Sequence, residues 1–145
     1  MQGSQEGMTL VEVLVALVIL GVGLLGAAAF QLNALKYTDS ARMTSQASFI
    51  AYDMLDRIRA NAAADYTIAP PASGNPDVAR DQDLFDFNAN IVSSLGATAT
   101  GRVTVNQKLY TITINWDDSR AANTADSRRS FVLTSRTAVD PGATP

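Results

Sequence analysis

One carboxylate stands alone among apolar side chains near the start of this chain. Glu12 follows Met8-Thr9-Leu10-Val11 and precedes Val13 to Phe30, VLVALVILGVGLLGAAAF, a run with no charge and no polar side chain. An ionised carboxylate in hydrocarbon is costly unless it is paired, so an acid at such a position is a functional candidate by default. A cut between Gly7 and Met8 would create a new α-amino group at Met8, about four residues or one helical turn from Glu12. That amine could pair with the carboxylate of its own chain or of a neighbouring one, and pairing offsets the cost of burying both ions. Such pairing makes and breaks no covalent bonds.

Other chemistries find little support. The chain of 145 residues has neither cysteine nor histidine. Disulfides, thiolate ligands, the commonest metal ligand and the usual general base near neutral pH are therefore absent. Serine without histidine and without an SxxK pattern is not a credible nucleophile. Asp81, Asp83 and Asp86 could be read as a calcium cluster, but their spacing lacks the glycine and distal glutamate of an EF-hand loop. Carboxylates at a helix start are in any case favoured by the dipole. We expect neither metal nor cofactor, and no enzymatic activity. The formal charge of −3 gives no basic footprint over the whole chain. Arg102, Lys108, Arg120, Arg128, Arg129 and Arg136 could still form a basic face, as a DNA-capturing or adhesive subunit would need. The aromatic residues are expected to point inward and not to interleave those charges, so nucleic acid is an unexpected partner.

The element that positions Glu12 must be a helix. Val13 to Phe30 would extend about 27 Å, near the hydrocarbon thickness of a bilayer. A cleaved signal peptide is the alternative, and Ala27-Ala28-Ala29 offers a small-residue cut site for it. Gly21, Gly23 and Gly26 fit either close packing in a membrane or a segment able to unwind. The helical pattern continues past Phe30: Ala47, Ile50, Ala51, Met54, Ile58 and Ala62 recur at spacings of three and four, with Arg42, Asp53, Arg57 and Asn61 on the other side. No proline precedes Pro70, so a single helix from about Met8 to Ala63 is expected. Asp53 and Arg57 form an i,i+4 pair on it.

Pro70, Pro71, Gly74 and Pro76 make residues 64–80 a loop. A short helix is expected over Asp83–Leu95, with Leu84, Phe87, Ile91 and Leu95 on one face and Gly96 as its C-cap. The period then changes to two. Val103 and Val105 alternate with polar neighbours. After a tight connection at Asn106-Gln107-Lys108, Tyr110, Ile112, Ile114 and Trp116 share a face. A polar loop, Asp117 to Ser127, leads to a third strand, Arg128 to Arg136, with Phe131 and Leu133 on one side. Trp116 is expected to anchor the sheet in the core. Charge is divided: residues 64–101 hold five Asp and one Arg, a net of −4, and residues 102–145 hold six basic and four acidic groups, a net of +2. That asymmetry suits head-to-tail association as well as a plain solvated surface.

These residues carry a resemblance. Gly7-Met8-Thr9-Leu10-Val11-Glu12 resembles the processing motif of type IV prepilins: Gly, a hydrophobic residue, Ser or Thr, Leu, any residue, Glu. The stretch Ala51-Tyr52-Asp53-Met54-Leu55-Asp56-Arg57-Ile58-Arg59-Ala60-Asn61, and more loosely Asn115-Trp116-Asp117-Asp118, is similar to minor pilins of the PilV type. The resemblance implies an α+β, pilin-like fold in which a long N-terminal helix packs on a small antiparallel meander. It divides the chain into a leader (1–7), a membrane or filament-core half-helix (8–30), a soluble half-helix (31–63), a globular domain with a short helix and three strands (64–139) and a flexible tail (140–145). It implies cleavage by a prepilin peptidase after Gly7 and N-methylation of Met8. Thr9 and Glu12 would serve subunit registration. Val13, Leu14, Leu17, Leu20, Gly21, Leu24 and Phe30 would pack against lipid and then against filament neighbours. The implied function is that of a structural minor pilin in a complex that primes type IV pilus assembly at the tip and supports twitching. Its partners would be other minor pilins, the major pilin and the inner-membrane assembly platform. The subunit would cross the inner membrane once, with its globular domain in the periplasm, before entering the pilus. A minor pseudopilin of type II secretion shares the same motif and long helix. Two features depart from the family. Residues 1–7 contain no Lys or Arg and include Glu6, so the flank with Lys36 would be the cytoplasmic one by charge alone. The C-terminal disulfide of many pilins is also missing.

Overall fold

Apolar spacing, the absence of proline and a capped start produce one long helix. A computed structural model describes residues 9–119 and 127–136. Helix α1 runs Leu10–Ala60, α2 Ala79–Leu95, and three strands follow: β1 Thr100–Asn106, β2 Leu109–Asp117 and β3 Arg128–Arg136. This is an α+β, pilin-like arrangement. The chain divides into two units, Met1–Thr38 and Asp39–Pro145. Gly7, Met8, Arg120 and the expected tail 140–145 lie outside the described residues, as does most of the loop between β2 and β3.

In the second unit, Met43, Ala47, Ala51, Met54, Leu55 and Ile58 bury one face of α1; of the expected stripe, Ile50 is only half-buried and Ala62 is half-buried beyond the end of the helix, while Met43 and Leu55 join it. Leu84, Phe87, Ile91 and Leu95 bury one face of α2. The sheet order is β1-β2-β3, antiparallel throughout. Tyr110, Ile112, Ile114 and Trp116 on central β2 are all buried, and Trp116 sits in the core as expected. Every second residue of β2 thus enters the core, because a strand's side chains alternate faces. A fully buried aliphatic side chain contributes about 1.5–3 kcal/mol, so this row and the α1 stripe hold the unit together without a crosslink.

The boundaries differ from expectation in three places. Helix α2 begins four residues earlier than Asp83. Extended Val78 stands at its N-cap with no side-chain cap, and the amides of Asp81 and Gln82 donate to the Val78 carbonyl at 2.9 and 3.1 Å. Without a capping side chain, the sequence offers no mark of that start. Helix α1 ends at Ala60, three residues short of Ala63, where the chain enters a turn with Ala64 N–H donating to the Asn61 carbonyl at 3.0 Å. The hairpin turn is only Gln107-Lys108, since Asn106 already pairs with Leu109. Both turn residues have positive φ, 47° and 66°, the two-residue geometry that matches strand twist and ordinarily selects Asn-Gly. Gly96 does end α2, at φ 106°, its N–H donating to the Val92 carbonyl.

Gly101 lies on the inward face of β1 opposite Ile114. A Cβ there would overlap Phe87 Cε1 at 2.5 Å and Cζ at 2.7 Å, as well as the end of Ile91. The ring is buried in the core. Gly101→Ala is therefore expected to destabilise the folded unit by about 1–3 kcal/mol, read as a lowered urea midpoint of the full chain in detergent. An unchanged midpoint would show that α2 can move off the sheet freely.

Candidate functional site

The N-terminal unit carries the motif residues. Thr9 precedes the first helical residue and caps it: its Oγ1 accepts the Glu12 amide at 3.3 Å, and its carbonyl accepts the amides of Glu12 and Val13 at 3.0 and 3.3 Å. Glu12 stands three residues after this cap, in the first turn, where a carboxylate is favoured by the helix dipole. Thr9-x-x-Glu12 is the sequence pattern of a capping box, a local role that the motif reading passed over. The Glu12 carboxylate has no ion-pair or hydrogen-bond partner among the described residues.

Beyond Glu12 every expected packing residue is exposed. Val13 is 42% exposed, the least of the large ones, and Phe30 is 76% exposed, with Leu14, Leu17, Leu20 and Leu24 between. Nothing approaches within 4 Å of a Cβ built at Gly21, Gly23 or Gly26. The most apolar stretch of the helix buries none of its residues within the chain and is long and apolar enough to cross a membrane. Such a surface needs lipid or other helices to cover it.

The second unit assembles a polar cluster that the sequence did not reveal. Arg57 binds Asp53 at 2.9 Å, as its spacing suggested, and also Asp83 at 2.8 Å and Asp86 at 3.3 Å on α2. The Tyr66 hydroxyl donates to Asp83 at 2.7 Å and accepts from Asn61 at 3.3 Å. Asp81 pairs with Arg80 at 2.8 Å. The three aspartates are thus spent on arginines and a phenol, and no group of carboxylates able to hold a metal occurs among the described residues. The hydrogen bond that Arg57 donates to Asp83 is the main reason that its pKa is raised. We read the cluster as a clamp that pins α2 and the 64–78 loop to α1.

Burial, and then donation to Asp83, push the Tyr66 phenol up to about 12. The native state therefore keeps a proton that the unfolded chain loses near its ordinary value of 10. That stabilisation, roughly 2–3 kcal/mol, is whole below pH 10 and is lost as pH rises toward 12. Tyr110 is also raised, by burial and then by Asp65. Stability measured by denaturant titration should fall between pH 10 and 12, and Tyr66→Phe should reduce that slope without abolishing it. An equal slope in the variant would place the alkaline transition elsewhere.

The basic residues of the C-terminal strands do not form one patch. Arg102 on β1 and Arg128 and Arg136 on β3 share the outer face of the sheet, whereas Arg129 is turned inward, where its Nε lies 3.5 Å from buried Asp118. Asp118 also accepts from Ser40 of α1. Tyr110 and Trp116 point into the core, as expected of the sheet's aromatics. Phe49 and Tyr52 on α1 are exposed, which the sequence reading did not anticipate. The clefts of this unit are open depressions; one of about 250 Å³ is lined by Thr98, Thr100, Asn115, Trp116, Asp117, Ser127 and Arg128.

Comparison with known proteins bears on the N-terminal unit. Residues 3–28 match the family model described as the prokaryotic N-terminal methylation motif. No curated protein and no solved structure matches the chain. The motif and the apolar helix that carries it support a type IV pilin-like or pseudopilin-like subunit, a structural class that is processed by a prepilin peptidase and assembles with other pilins. They are consistent with membrane anchoring and pilus assembly.

Proposed function

We propose that the chain is a minor pilin of the type IV pilus, of the PilV type, and that it joins a minor-pilin complex priming assembly at the pilus tip. The observation that carries this reading is Glu12: a carboxylate without a partner among the described residues, in the first turn of a helix whose following surface is apolar and uncovered. Processing would cut between Gly7 and Met8 and methylate the Met8 amine. The amine of one subunit would then pair with Glu12 of a neighbour as Val13, Leu14, Leu17, Leu20, Gly21, Leu24 and Phe30 exchange lipid for other helices. Thr9 would hold the first turn in shape for that pairing. The globular unit would face the periplasm before the subunit enters the pilus, through contacts with other minor pilins, the major pilin and the inner-membrane assembly platform.

A minor pseudopilin of type II secretion would use the same N-terminal chemistry. Deletion in the native host separates the two: loss of surface pili and of twitching with secretion intact is expected, whereas loss of exoprotein secretion with pili intact would assign the chain to the secretion system.

A further inference from the structure

Among the described residues, nothing pairs with the outer edge of β3. The inward-facing residues of central β2 are at most 3% exposed, yet those of β3, Phe131 and Leu133, are only half-buried. Beside β3 there is no further strand among the described residues, so one edge of its nine-residue backbone has no main-chain partner there. A long edge with free amides and carbonyls is a template for strand addition, and natural sheets blunt such edges with proline, bulges or charges. Here Ser130 to Ser135, SFVLTS, has no charge and no proline, and Val132 is 56% exposed on the outer face. Only the ends carry charge: Arg128, Arg129 and Arg136.

We propose that the β3 edge binds an extended strand of a different subunit that carries carboxylates at its ends. The added strand would pair with the backbone of 130–135 and cover the exposed flanks of Phe131 and Leu133, a mode in which main-chain bonds give affinity and alternate side chains give specificity. The charge pattern selects the occupant. In a second copy paired antiparallel about Val132, Arg128 would face Arg136, and like charges directly opposite are destabilising. A strand with acidic ends instead meets Arg136, which makes no ion pair among the described residues, and Arg128, which faces the Asp117 carboxylate on neighbouring β2 without a close ion pair. This assignment rests on the edge alone and stands whether the chain serves a pilus or a secretion system.

The test uses the full chain in detergent micelles and two synthetic peptides, each a Thr-Val repeat, one with Asp at both ends and the other with Lys. Binding is read by fluorescence anisotropy, and amide exchange by NMR. The Asp-ended peptide is expected to bind and to slow exchange at amides of 130–135. Double substitution of exposed Arg128→Glu and Arg136→Glu should weaken that peptide about tenfold and favour the Lys-ended one. Equal binding of both peptides, or no slowed exchange with either, would overturn the proposal. Edge amides already protected without peptide would overturn it too, whether independently of concentration, through cover by the chain's own residues, or with rising concentration, through self-pairing.

Discussion

Substitution of Gly7 by Arg is expected to leave the chain at its unprocessed length, with mature protein reduced to background and none in filaments. The bond after Gly7 joins a residue without a side chain to the first apolar residue of the helix run. Glycine leaves both faces of that peptide open, and any Cβ narrows the approach of a hydrolytic centre at the membrane surface. Arginine adds a cation where the chain is about to turn apolar. The effect should be confined to processing, since the buried core of the globular unit lies, among the described residues, from Met43 onward. Immunoblots of membrane fractions would show a single longer species with unchanged thermal stability. A mature-length product from Gly7→Arg would refute the cut site.

The second large effect is expected from Glu12→Ala, and its sign depends on the compartment. In the membrane the substitution removes a buried charge, so the processed subunit should be retained in the bilayer at least as well as the native one. In the assembly, on the proposed pairing, it would remove one partner of a buried pair and strand the Met8 amine of a neighbour. Breaking a buried pair in this way costs about 3–5 kcal/mol, which is roughly two orders of magnitude or more in incorporation. Cleavage should proceed, membrane levels should hold or rise, and subunit in sheared filaments should fall to background. Glu12→Gln should share the loss, because it keeps shape and cap geometry but not the charge. Normal incorporation of either variant would mean that Glu12 acts only on its own helix, as a first-turn residue beside the Thr9 cap.

That last alternative shows what the sequence disclosed and what it concealed. Glu12 and the apolar run were legible because charge and hydrophobicity are carried residue by residue. Thr9 belongs to the motif, and Thr-x-x-Glu is also the local pattern of a capping box, whose threonine cap the structure shows in use at the start of α1. The buried faces of α1, α2 and β2 followed from periods of 3.6 and 2, so the fold class and the meander could be read directly. The early start of helix α2 is not marked in the sequence because Val78 offers no capping side chain. The Arg57–Asp83–Tyr66 clamp was hidden for a different reason. Its members are 26 and 17 residues apart, and only tertiary packing brings them together. Read along the chain, Asp81, Asp83 and Asp86 look like a run of acids; in the folded unit they are absorbed by Arg80, Arg57 and a phenol. That β3 has no partner on its outer edge among the described residues was equally invisible, because a strand's position in a sheet depends on its neighbours.

The most direct test of the central claim is the intact mass of the protein purified from its native host. The account predicts a single species that begins at Met8 and carries one additional methyl group on its amine. A species beginning after Ala29, which would lack Glu12 altogether, or a chain still carrying residues 1–7, which would have no amine at Met8, would contradict it.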